Sequence, residues 1–229
     1  METINTKSKF ILGIDRKKLV KSNDWLVHIT NKMDLVRVFS VNYSINNEKK
    51  RRAEIYYPPE YDFLLKKPAI ILFAVKNYPM DRGSYVSWAE MIAVNGIIAI
   101  TYEAPDYEND FKYLLEYIYQ SKKRLSINTE KIGVMAFCGT ANRFFSMNYN
   151  RIQKYNLSYG IFFSCTIPSP YKYKFSFPLL IVNSGKDYKV CTQSFLRFKN
   201  EADKLGLKYK IIDYPNGIHR FDVFQPTKK

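Results

Sequence analysis

A series of short apolar runs, each the length of a strand, constrains this chain more than any other feature. The clearest are residues 69–75, 97–102, 132–137, 158–164 and 178–183, and a more mixed run follows at 208–214. Stretches with helical spacing of apolar residues separate them: 84–94, a set starting near Asn109 with Phe111, Leu114, Leu115, Ile118 and Tyr119 and ending before Ser126, then 141–149 and 195–205. Strands joined by helices of this length require right-handed crossovers, so the sequence predicts an α/β fold with a largely parallel central sheet and helices on both faces. Ahead of these runs, residues 35–43 and 52–57 alternate with period two around a polar stretch at 46–50, the mark of an antiparallel N-terminal hairpin, and Pro58-Pro59 ends it. Residues 1–34 read as an extension of unknown role with a short helix at 16–27. Residues 35–229 read as a single domain without a large lid insertion.

With 229 residues the chain can bury one sizeable core. No run approaches the roughly 18 apolar residues of a membrane span. The N-terminus is too short in apolar residues for a secretory leader, which points to a cytoplasmic protein. Cys138, Cys165 and Cys191 form neither a CxxC pair nor a metal-ligand spacing, so free thiols are expected rather than disulfides. His28 and His219 are the only histidines. No metal and no cofactor are expected, and His28 reads as structural. Lysine and arginine outnumber acidic residues by 36 to 21, for a net charge of +15. The lysines are scattered in pairs and triplets rather than interleaved with aromatics as on a single-strand-binding face. They read as solvated charge, and nucleic-acid binding has low weight.

Chemistry concentrates in Ala136-Phe-Cys-Gly-Thr140, where the 132–137 strand turns abruptly into a helix around Cys138. A cysteine at a helix start feels the positive end of the helix dipole, and a neighbouring imidazolium would hold its thiolate as an ion pair. Downstream stand Asp187 and His219, each just past an apolar run. In the order nucleophile, acid, histidine, His219 would act as base and then acid, and Asp187 would fix its tautomer. Each has an ordinary alternative: a buried small hydrophobe for Cys138, a turn residue for Asp187 and a loop histidine for His219. Cys165 and Cys191 read as structural.

These segments resemble the α/β-hydrolase superfamily, and within it the dienelactone-hydrolase-like branch, whose nucleophile elbow commonly carries cysteine where most members have G-x-S-x-G. The resemblance spans roughly residues 35–223. It rests on Ala136–Thr140 as the elbow, on residues 178–190 with Pro178, Gly185, Asp187 and Val190 as the acid segment, and on Tyr214-Pro-Asn-Gly-Ile-His219-Arg-Phe221 as the histidine segment. Residues 83–102 look like the family's first helix and following strand. The resemblance implies cleavage of a small ester, lactone or thioester through a Cys138 acyl-enzyme. It also implies an oxyanion hole from the backbone N–H of Gly139 and one at Val75 or Lys76. The sequence departs from the family at Thr140, whose β-branch is expected to widen the elbow. It departs again at Ala74-Val75-Lys76-Asn77, where the family often carries His-Gly or a Gln-Glu pair. Arg82, Arg143 and Arg220 are candidates to face an anionic substrate, although each reads better as solvated charge. Acyl transfer on the same groups, or a silent fold that binds a partner, are the alternatives.

Overall fold

The computed structural model describes residues 32–45, 49–76, 83–147, 153–170 and 177–224. The sequence-predicted helix at 16–27, with His28 and Arg82, lies outside them. One eight-stranded sheet organises the chain. In chain order its strands are β1 (Arg37–Ile45), β2 (Lys49–Tyr57), β3 (Lys67–Leu72), β4 (Ile98–Tyr102), β5 (Ile127–Phe137), β6 (Tyr159–Phe163), β7 (Leu179–Lys186) and β8 (Tyr209–Ile218). Their order across the sheet is β1-β2-β4-β3-β5-β6-β7-β8. β2 alone runs against the others: it pairs antiparallel with β1 and β4, and the remaining neighbours are parallel.

The helices are α1 (Gly83–Val94), α2 (Tyr107–Gln120), α3 (Cys138–Ser146), α4 (Lys189–Lys204) and a single turn, α5 (Phe221–Phe224). Right-handed crossovers that run in opposite directions along a sheet cover opposite faces. The chain moves one way from β3 to β4 and the other way from β5 through β8, which puts helices on both. Each helix follows from its pattern. α2 starts at Asp106, whose carboxylate accepts from the Asn109 N–H at 3.5 Å and from the Asn109 side chain at 2.7 Å. It then buries Phe111, Leu114, Leu115 and Ile118 along one stripe. α4 buries a narrower stripe, Cys191, Ser194, Phe198 and Ala202.

The central strands are buried as parallel strands covered on both faces must be. Every residue of β4 is buried, as are the last residues of β3 and of β5. Burial of each large side chain here contributes about 1.5–3 kcal/mol. Aromatic rings fill the layer beneath the sheet's C-terminal edge. Phe73 meets Phe111 at 5.2 Å and Phe144 at 5.3 Å, both edge to face, and Phe145 packs on Phe162 at 4.5 Å. That edge is therefore a firm platform.

Among the boundaries that differ from expectation, three show the physical reason most clearly. β5 begins at Ile127 rather than 132, because Glu130 and Lys131 on its first half are exposed and break the apolar run. α4 begins at Lys189 rather than 195, since its polar first turn hides the periodicity. β8 continues through Pro215-Asn216-Gly217 to Ile218, residues that read as a turn and are tolerated because this is an edge strand.

Candidate active site

The chain leaves β3 toward β4 and leaves β5 toward β6, in opposite directions along the sheet. The crevice between the C-terminal ends of β3 and β5 is thus the topological switch point, where ligands bind in open α/β sheets. Cys138 stands there, on the first residue of α3 with no residue between strand and helix. Its φ is +45°. A non-glycine residue in this left-handed region costs roughly 1–2 kcal/mol. The turn lifts the side chain out of the sheet's plane, leaving it half-buried. Ser164, just after β6, and Arg220, just after β8, also have positive φ, +42° and +56°. Backbone strain of this kind gathers at functional sites.

Thr140, expected to widen the elbow, ties it instead. It is buried, its hydroxyl accepts from the Phe137 N–H at 2.9 Å, and it donates to the Phe137 carbonyl at 2.8 Å. Phe137 is held in turn by aromatic neighbours. Its ring lies 5.8 Å from Trp88, 5.3 Å from Phe163 and 5.9 Å from Tyr85. A Cβ built on Gly139 would meet nothing within 4 Å, so open space lies over that peptide.

The structure brings Cys138, His219 and Asp187 together. His219 Nε2 is 2.9 Å from Cys138 Sγ, and His219 Nδ1 is 2.6 Å from Asp187 Oδ1. A carboxylate only accepts, so Nδ1 carries the hydrogen and Nε2 is left to accept from the thiol. The Asp187 side chain is 2% exposed, and its Oδ1 also accepts from the Tyr188 N–H at 2.7 Å. Gly185 makes this approach possible. A Cβ there would come within 2.3 Å of the Pro215 carbonyl oxygen on β8. Val75 and Lys76 follow β3, the strand beside β5.

Electrostatics correct one expectation. Burial raises the Cys138 thiol above its ordinary range, and Asp187 and Asp222 add to the rise. The Gly139 N–H and the Arg220 guanidinium pull the other way and are outweighed. The balance favours the neutral thiol over the thiolate expected of an ion pair. The expected dipole effect is overtaken by desolvation.

Arg220 also departs from the sequence reading. It is no solvated charge: its side chain is 12% exposed, it grips Asp222 through two nitrogens at 3.1 and 3.3 Å, and its guanidinium lies 4.9 Å from the Phe137 ring centre. Asp222 accepts from Trp88 Nε1 at 3.1 Å as well. This Trp88–Asp222–Arg220 cluster ties the turn after His219 to α1 and to the residue before Cys138. Sequence reasoning missed it because its partners stand 134 positions apart. Tyr188 was missed too; its ring packs at a tilt against the His219 imidazole, with centroids 4.7 Å apart. Arg143 is exposed on α3, as expected.

All three cysteines are free, with Cys165 and Cys191 buried. Cys191 does more than fill space. Its sulfur and the ligand atoms of Asp187 and His219 lie within 4.8 Å of one another. Burial and the facing carboxylate push its thiol up to about 12. By type these residues could hold a metal, but the 2.6 Å spacing of Asp187 and His219 is that of a hydrogen bond. Two tetrahedral zinc ligands with bonds of about 2.0–2.1 Å would stand farther apart.

The architecture is the α/β-hydrolase fold. No protein-family model matches the chain, and no curated protein sequence matches it either. Solved structures do. Esterase 2 of Thermogutta terrifontis, phosphonylated by cyclosarin, superposes with a TM-score of 0.65 at 13% identity, covering 83% of this chain and 87% of that one. The esterase Est22 superposes with a TM-score of 0.67 at 12% identity, covering 92% and 83%. A Klebsiella pneumoniae protein assigned as a dienelactone hydrolase gives 0.64 at 12% identity, covering 84% and 92%. Identities this low establish a shared fold. Among the described residues no helix is long and apolar enough to cross a membrane.

Proposed function

We propose that this protein is a hydrolase of the dienelactone-hydrolase-like kind, cleaving a small ester, lactone or thioester through a Cys138 acyl-enzyme. The observation that carries the proposal is the hydrogen-bonded chain from Cys138 through His219 to Asp187, with the cysteine on a left-handed elbow. Being a neutral thiol, Cys138 passes its proton to His219 Nε2 as its sulfur attacks the carbonyl carbon. The charge on the carbonyl oxygen is met by the Gly139 N–H and by a backbone N–H at Val75 or Lys76. Each such donor contributes roughly 3–4 kcal/mol in the transition state. On collapse the bond to the leaving group breaks and His219 returns the proton to it. Water, deprotonated by His219, then releases the acyl group and restores the thiol. Asp187 orients the imidazole and balances its transient charge. No cofactor enters these steps. Residues 35–229 would form the whole catalytic domain without a lid, in a reducing cytoplasmic setting that keeps the thiols free.

Acyl transfer to an acceptor other than water needs no further group. The rival reading, a silent fold that binds a partner, draws on the raised thiol, which is a poor nucleophile unless His219 removes its proton. Burst kinetics with an activated aryl ester and intact-mass analysis of the quenched protein decide the matter. The proposal expects a stoichiometric burst and an acyl adduct, both lost in Cys138→Ala while the circular dichroism spectrum stays native. An adduct that survives the substitution, or none in the wild type, rejects it.

A further inference from the structure

A cavity of about 340 Å³ opens beside the histidine, lined by Lys186, Asp187, Tyr188, Ile218 and His219. It touches the imidazole but not Cys138. The acyl carbon must bond to the sulfur, whereas the leaving group must receive its proton from His219 Nε2. A space that shares the imidazole and excludes the sulfur therefore suits the departing group. We propose, on the hydrolase reading above, that this cavity is the leaving-group site and that it selects a small, flat, anionic alcohol, phenol or thiol, with Lys186 as the residue that reads the charge.

The walls carry this assignment. Tyr188 is 64% exposed and Ile218 38% exposed, so the cavity offers apolar surface to an occupant. The Tyr188 ring, packed at a tilt of 42° against His219 with centroids 4.7 Å apart, gives the wall an aromatic surface. The cavity stands at the low end of the roughly 300–1,000 Å³ range of small-molecule sites, which fits a single ring or a short chain. The two charged side chains on its wall differ in state. Asp187 is almost fully buried, and its carboxylate is taken by His219 and by the Tyr188 N–H. Lys186 is exposed and, among the described residues, makes no ion pair. Of the two, the Asp187 charge is buried and turned toward His219 and the Tyr188 N–H, so the ammonium of Lys186 is the charge exposed to an occupant of the cavity. Lys186 is also fixed at its base, because it ends β7 in register with Ile218 on β8.

The test compares two aryl esters with the same acyl group, one leaving as 4-hydroxybenzoate and the other as neutral 4-hydroxybenzamide. An exposed charge pair is worth about 0.2–1 kcal/mol, so the ratio of kcat/KM for the anionic over the neutral ester is expected to reach about fivefold at low salt. It should shrink toward one in 0.5 M salt, fall to about one in Lys186→Gln and invert in Lys186→Glu. Lys210→Gln, on the exposed face of β8, should keep the wild-type ratio. A ratio unchanged by Lys186→Gln, or a wild type that favours the neutral ester, overturns the assignment. Failure of the hydrolase reading shows separately, as no turnover of either ester. The cavity is then judged by calorimetric binding of 4-hydroxybenzoate and 4-hydroxybenzamide to the wild type and Lys186→Gln. Equal affinities for the two compounds in the wild type would overturn the proposal.

Discussion

At the scale of single residues, Cys138 carries a backbone conformation that costs stability. Its φ of +45° suits glycine and strains any L side chain. The prediction is that Cys138→Gly is more stable than Cys138→Ala by about 1 kcal/mol, the reverse of the usual order inside a helix. Urea unfolding of the two variants measures it, and equal stabilities would mean the elbow is relaxed. The same residue gives a pH signature. Burial holds its thiol above the ordinary range, so the neutral form dominates through neutral pH and the thiolate fraction grows only as pH rises past that range. Alkylation of Cys138 by iodoacetamide, read by peptide mass spectrometry, should still be accelerating above pH 9. It should slow at a given pH in Arg220→Gln, because the guanidinium favours the thiolate. A rate that levels off near pH 6 would contradict the raised thiol.

At the scale of elements, the contact between β7 and β8 sets the distance from acid to histidine. Gly185 lets the strands close at Pro215. In Gly185→Ala a Cβ 2.3 Å from that carbonyl must push backbone aside, at about 1–3 kcal/mol. Displacing Asp187 by 1 Å is expected to lower kcat/KM by about 100-fold. Gly206→Ala is the control. That glycine ends α4 with a φ of +62° and open space around it, so the variant should lose about 1 kcal/mol of stability and keep its activity. Proportionate losses in both variants would refute the coupling. Elements also show what the sequence could reveal. β3, β4, β6 and the second half of β5 were legible because their runs are almost wholly apolar, as was the start of β7, and Cys138 and Asp187 because each comes soon after such a run, whereas His219 follows the more mixed run of β8. Thr140 was misjudged because its bulk was visible and its hydrogen bonds to Phe137 were not. The Trp88–Asp222–Arg220 cluster and the Tyr188–His219 contact depend on packing between remote segments, which no local pattern encodes.

For the whole molecule, stability should grade across the sheet. β3, β4 and β5 are enclosed on both faces and have neighbours on both sides, whereas β8, among the described residues, pairs with β7 alone and is exposed along most of its length. Local opening follows buried contacts, so β8 and the turn carrying His219 belong to the least stable cooperative unit. The site draws on positions 81 and 32 residues apart, and loss of any one segment takes it apart. Native-state hydrogen exchange should therefore find amides of Ile70, Ile100 and Val134 opening only with global unfolding, and those of Ile211 and Ile212 opening at lower cost. In urea, turnover should fail at a lower concentration than the far-ultraviolet circular dichroism, with Cys138 becoming open to alkylation in the same interval. Coincident transitions would show that the edge strand unfolds with the core, and that the histidine's position is as stable as the sheet itself.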